Sequence, residues 1–244
     1  MTRERCIEAA RRISARPWRV VEAQNRVSTM RLVDTLEEQS ALEDLLEASK
    51  PPVPPEASRL HWLLATPFRY PAPPPKGSRF RAIGDAGVWY GAAAVTTALA
   101  EVGYWRLRFL ADSPQTPDLP PVAHTAFRAA IGGPAIVLYE PPFERQHKRW
   151  QDRNDYTHTQ SLAWEARAAG VAIIRYHSVR DPQHRACDAL LTPEGFRKTG
   201  PLEQHTWLLK VTRTNVLAEA TLSGERIAFD PAALGMPSRP EASS

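Results

Sequence analysis

Nine of the 23 prolines fall between residues 51 and 75, most of them in the runs Pro51-Pro-Val-Pro-Pro55 and Pro71-Ala-Pro-Pro-Pro75. Proline fixes φ and donates no backbone hydrogen bond, so these stretches read as extended, semi-rigid connectors rather than helix. They suit loops that wrap their own domain, with a ligand segment for a proline-binding module as the alternative. The connectors set the expected organisation: an N-terminal helical extension over residues 1–55, a main domain over 56–235, and a flexible tail over 236–244. Within residues 1–50, Ile7, Ala10, Ile13 and Ser14 make a weak helical stripe, and Leu32, Leu36, Leu42, Leu45 and Leu46 a stronger one. Asp34, Glu37, Glu38, Glu43, Asp44 and Glu47 lie on the other face of the second stripe, as a solvated surface or a partner surface.

From residue 79 short strands alternate with helices. Strands are expected at 87–90, 135–139, 171–177 and 186–191, and helices at 96–110 and 157–169. Thr157 and Gln160 are spaced as a capping box, and Gly170 stands where a helix usually stops. Residues 205–230 read as consecutive antiparallel strands with a hairpin turn at Ser223-Gly224. The fold class is α+β: mixed, largely antiparallel sheets with flanking helices.

At 244 residues the chain buries about 70% of its unfolded surface, so it folds without a disulfide or a metal. Cys6 and Cys187 cannot make a disulfide framework, which points to a reducing compartment. No apolar h-region and no run of 18 apolar residues is present, so a soluble, cytoplasmic protein is expected. The phosphate loop, G-x-G-x-x-G, H-E-x-x-H and G-x-S-x-G patterns are all missing, and so is any zinc spacing. ATPase, Rossmann dehydrogenase, metalloprotease and α/β-hydrolase readings fall away. Of 31 basic residues 26 are arginine, the residue whose fork binds phosphate bidentately. A small phosphorylated ligand is favoured over nucleic acid, and an arginine-rich nucleic-acid-binding module is kept as the non-enzymatic alternative.

Four places stand out chemically. Phe68-Arg69-Tyr70-Pro71 and Gly77-Ser-Arg79-Phe-Arg81 gather arginines and aromatics on loops, as a diphosphate or carboxylate clamp or as arginines lying over aromatic rings. Tyr90, at the end of a strand, either stacks on a flat ring or is a core aromatic with a satisfied hydroxyl. Glu101 meets Thr97, Ala98, Tyr104 and Trp105 at helical spacing and no basic residue, the company of a pocket wall. Ser178 ends a strand ahead of Arg180-Asp-Pro182, facing a cleft or making a turn hydrogen bond.

In order, Phe68-Arg69-Tyr70-Pro, Gly77-Ser-Arg79-Phe, Val88-Trp-Tyr90-Gly, Thr97-Ala-Leu-Ala-Glu101-Val-Gly-Tyr and Tyr176-His-Ser178-Val-Arg180 resemble the RES domain, the toxin component of bacterial RES–Xre type toxin–antitoxin systems. The likeness runs over roughly 60–200, with Asp155-Tyr-Thr-His-Thr-Gln160 and Leu190-Leu-Thr-Pro193 inside it. Residues 17–50 resemble the extension of longer members. The resemblance implies an ADP-ribosyltransferase-like RES fold and cleavage of the nicotinamide–ribose bond of NAD⁺. ADP-ribose would pass to a protein side chain (an ADP-ribosyltransferase), to phosphate (an NAD⁺ phosphorylase) or to water (a glycohydrolase). It implies Arg69, Glu101 and Ser178 as catalytic residues and Tyr70, Arg79, Arg81, Tyr90 and Arg180 as NAD⁺-binding residues, with NAD⁺ as substrate and no metal. The implied partner is a cognate Xre-like antitoxin that covers the pocket, with a protein acceptor and a homodimer or toxin–antitoxin hetero-oligomer as further associations. No membrane or direct nucleic-acid contact is implied.

Overall fold

The computed structural model describes residues 2–23, 33–73 and 75–236. Among them ten strands form one sheet: β1 (Arg11–Ala15), β2 (Trp18–Glu22), β3 (Trp89–Ala92), β4 (Leu119–Arg128), β5 (Ile131–Val137), β6 (Ile173–His177), β7 (Ala186–Leu190), β8 (Glu203–Val211), β9 (Val216–Ala220) and β10 (Arg226–Phe229). Their spatial order is β1-β5-β6-β7-β3-β2-β4-β8-β9-β10. Only β5 and β6 pair in parallel. Six α-helices are described: α1 (Arg3–Ala9), α2 (Leu36–Ala48), α3 (Trp62–Arg69), α4 (Val95–Asp112), α5 (His147–Trp150) and α6 (Thr157–Ala168). The fold is mixed α+β, as the alternating pattern predicts.

Period-2 alternation divides the strand residues between two cores. Tyr90, Ala126, Ile136 and Ile174 pack with Leu99, Leu107 and Leu162 of α4 and α6. Their chain neighbours Trp89, Phe127, Ala135 and Ile173 pack with Leu63, Leu64 and Phe68 of α3 on the other side. A strand stretch buried on both faces has no polar positions to give away its period, which is why Ala135-Ile-Val137 of β5 and Ile173-Ile174 of β6 are continuous apolar runs.

The helical reading of residues 1–50 is corrected. α1 and α2 are helical, but residues 11–22 form β1 and β2, and β2 lies between β3 and β4 in the sheet interior. Pro17 separates two short runs whose Ile13, Trp18, Val20 and Val21 suit a pleated surface, and Ile13 packs in the second core rather than continuing a stripe from Ile7. Position 32 of the leucine stripe and the tail beyond residue 236 lie outside the described residues. α2 starts at a capping box in which Thr35 Oγ1 accepts from the Glu38 amide at 3.1 Å. Strand β4 was not anticipated because it begins with Pro120-Pro121. The register shifts there, and β2 pairs only with residues 124–128, so neither proline interrupts a ladder on that side. Among the described residues no helix is long and apolar enough to cross a membrane.

Candidate active site

The connections bring Glu101 and Ser178 together. Ala92 pairs with Cys187 and His177 with Ala186, so the exit of β3 into α4 and the exit of β6 into the 178–185 turn share one end of the sheet. Ser178 is fully buried. Its Oγ donates to Glu101 Oε1 at 2.6 Å and accepts from the amides of Arg180 (3.1 Å) and Asp181 (2.9 Å). A hydroxyl has one proton and two lone pairs, and all are used. The turn bond is therefore realised, and the bond to Glu101 makes Ser178 the holder of that carboxylate.

Burial pushes the Glu101 carboxyl above its usual range, against the opposing pull of the Ser178 hydrogen bond and the charges of Arg79 and Arg180, while Asp181 adds to the rise. Both guanidiniums are buried. Arg79 donates from Nη1 to the Trp150 carbonyl at 3.0 Å and lies over the Tyr156 ring at 5.0 Å. Arg180 sits 3.5 Å from the Tyr104 ring centroid and donates from Nη2 to the Arg153 carbonyl at 2.5 Å. Among the described residues its Nη1 meets no acceptor in hydrogen-bonding geometry, while the Tyr156 side chain engages the same guanidinium.

The other expected site residues build the frame of this cluster. Tyr90 has its hydroxyl engaged, with Ser78 Oγ at 2.8 Å and the Phe80 amide at 3.0 Å. The hydroxyl is thus satisfied, and through it the half-buried ring anchors the loop that carries Arg79. Arg81 donates to the carbonyls of Tyr70 (2.7 Å) and Asp85 (3.1 Å), so it ties that loop to the end of α3. Gly77 turns the loop at φ +73°, where a Cβ would come within 2.2 Å of the Arg81 carbonyl oxygen. Tyr70 contributes that accepting carbonyl, with its own side chain partly exposed.

Two expectations are corrected here. Phe68 and Arg69 belong to the last turn of α3 rather than to a loop. The Arg69 guanidinium turns to α2 and its connector, bonding Glu47 Oε1 at 2.6 Å and the Pro51 carbonyl. The guanidiniums beside Glu101 are those of Arg79 and Arg180. Gln160 likewise makes no capping box: its Nε2 donates to the carbonyls of Lys76, Ser78 and Arg81, while Asp155 Oδ1 takes the Thr157 amide at the start of α6.

Sequence reasoning missed Tyr156, Asp181 and Arg19 as parts of the site, and gave Tyr104 only as a helical neighbour of Glu101. Arg19, on β2, donates to the Tyr90 carbonyl at 3.0 Å, and burial pushes its pKa down to about 10. Nothing in its local sequence links it to Tyr90, because the pairing of β2 with β3 is non-local.

Residues 53–211 match the family model of the RES domain. The chain belongs to the RES-domain family. Glu101, Ser178, Arg79 and Arg180 all fall within the matched span of the RES domain. No curated protein matches the chain. Among solved structures the chain is similar to a chain of the crystal structure of the M. tuberculosis MbcT–MbcA toxin–antitoxin complex, at 11% identity and a TM-score of 0.46, covering 93% of this chain and 91% of that one.

Proposed function

We propose that this RES-domain protein is the toxin of a toxin–antitoxin system that cleaves NAD⁺ at the nicotinamide–ribose bond and transfers ADP-ribose to an acceptor. The carrying observation is a half-buried glutamate, fixed by a buried serine and subject to the charges of two buried guanidiniums. NAD⁺ needs both kinds of group: its diphosphate suits arginine forks, and its ribose develops positive charge as nicotinamide leaves.

In this reading Arg79 and Arg180 take the diphosphate. The C1′–N bond breaks with both electrons going to nicotinamide, which departs neutral. Ionised Glu101 stabilises the oxocarbenium-like ribose by charge. An acceptor oxygen then bonds C1′ and gives up its proton. Ser178 acts through Glu101 and does not reach the substrate. The inhibiting partner is an antitoxin, Xre-like, whose carboxylates meet the arginines.

Incubation with NAD⁺, with and without phosphate, followed by mass spectrometry tests this. Labelled protein marks transfer, ADP-ribose-1-phosphate marks phosphorolysis, and free ADP-ribose marks hydrolysis. Unchanged NAD⁺ under all conditions overturns the reading.

Glu101 must be ionised to work, and its raised pKa places the acid limb of kcat/KM above the ordinary glutamate value of 4.5. Ser178→Ala removes a hydrogen bond that favours the ionised form. The acid limb is therefore expected to move to still higher pH, read from a pH–rate profile. A limb that stays in place or moves down contradicts the serine's role.

A further inference from the structure

Trp150 to Tyr156 connects α5 to α6, and its backbone holds both arginines of the Glu101 cluster. The Trp150 carbonyl takes Arg79 Nη1, the Arg153 carbonyl takes Arg180 Nη2, and the Tyr156 ring lies under Arg79. Residues 151–155 are all exposed, and the Trp150 carbonyl is fixed from α5, where the Gln151 amide of the same peptide unit bonds the His147 carbonyl at 2.9 Å. What holds the Arg153 carbonyl is Asp152. Its Oδ1 accepts from the amides of Asn154 and Asp155, both at 2.8 Å, which closes a turn around Arg153. Asp155 Oδ1 then takes the Thr157 amide at 2.9 Å and its hydroxyl at 2.6 Å, fastening the turn to α6.

We propose that Asp152 is a positioning residue for the two arginines: by closing the turn around Arg153 it aims the Arg153 carbonyl at Arg180 and steadies the Trp150–Tyr156 segment against Arg79, so that both guanidiniums are ordered before the diphosphate of the substrate arrives. This rests on the NAD⁺ reading of the site. Asp152 makes no hydrogen bond to either arginine, and its carboxylate works first as a hydrogen-bond acceptor, with its charge attraction to Arg79 a lesser contribution. An asparagine supplies the same oxygen to the same two amides, and an alanine supplies none.

The test compares the full chain with Asp152→Ala and Asp152→Asn. Because the side chain is exposed, both variants are expected to fold, which circular dichroism verifies. Arginines that must be ordered during binding weaken ground state and transition state alike, which raises KM and spares kcat. Asp152→Ala should raise KM for NAD⁺ roughly tenfold, the size of one lost hydrogen bond, with kcat within about threefold of the parent. Asp152→Asn should restore KM. A merely structural defect would lower kcat or the folded fraction and would show no such rescue. Without NAD⁺, the ¹⁵N–¹H signals of the Arg79 and Arg180 side chains should shift or broaden in Asp152→Ala and keep their parental positions in Asp152→Asn. If these signals are unmoved by alanine, or equally disturbed by both variants, the positioning role is wrong. If they respond as expected and the parent chain does not consume NAD⁺, the positioning stands and the substrate assignment fails.

Discussion

Glu101→Gln is expected to cut NAD⁺ turnover by roughly a hundredfold or more, the scale for one preorganised electrostatic group, and to raise stability while doing so. Glutamine keeps the oxygen that accepts from Ser178 Oγ, so the buried serine and its turn stay satisfied. What it removes is a charge that burial disfavours. The folded-state pKa of Glu101 lies above the ordinary 4.5, with desolvation as the main cause. The folded chain therefore binds this proton more readily than the unfolded chain. Stability rises as pH falls through the folded value toward 4.5, and above the folded value the ionised group costs stability in full. At neutral pH the neutral amide escapes that cost, and a thermal melt should show an upward shift of Tm that shrinks as pH is lowered. A site built for chemistry commonly holds such a destabilising group. Normal turnover by the folded variant would remove Glu101 from catalysis. A lower Tm at neutral pH would mean that the carboxylate's attraction to Arg79 and Arg180 outweighs its desolvation.

The residues of this cluster were legible one at a time, and the way they meet was not. Glu101 was visible because a helical glutamate without a basic neighbour at i±3 or i±4 has unusual company. Ser178 was visible because it ends an apolar strand. Their contact depends on β7 lying between β6 and β3, an order set by non-local pairing that no window of sequence records. The same holds for β2, whose short run between Pro17 and residue 23 becomes a sheet-interior strand only because β3 and β4 flank it. Gln160 shows the opposite failure. Its spacing from Thr157 fits a local capping rule, but its amide was taken by three carbonyls of the Arg79 loop, some 80 residues earlier. Arg69, which the family resemblance reads as catalytic, pairs with Glu47 of α2, a contact across 22 residues that no local window of sequence records.

Asp181→Ala is expected to destabilise the chain by about 3 kcal/mol, the low end for removing one partner of a buried ion pair. The carboxylate is buried and accepts from Thr97 Oγ1 at 2.7 Å, Arg185 Nη1 at 3.1 Å and the Gln183 amide at 3.1 Å. Alanine leaves the proton of the buried Thr97 hydroxyl without its acceptor, although Thr97 Oγ1 still accepts from Arg185 Nη1 at 3.3 Å, and leaves Arg185 without its carboxylate. Because 30% of the Arg185 side chain is exposed, water can recover part of that loss, which argues for the low end of the range. For a chain of this size the change corresponds to a Tm lower by roughly 6–12 °C. Asp181→Asn keeps an acceptor for Thr97 or Gln183 and loses only the charge, so its cost should be about half as large. The asparagine variant also separates this residue from Ser178. The Asp181 charge raises the Glu101 pKa, whereas the Ser178 hydrogen bond lowers it. Asp181→Asn should therefore move the acid limb of kcat/KM to lower pH, opposite to Ser178→Ala, although both variants weaken the same turn. Two destabilised variants with acid limbs displaced in opposite directions cannot be explained by loss of packing. If both limbs move the same way, the variants act on Glu101 through the loosened turn rather than through charge and hydrogen bonding.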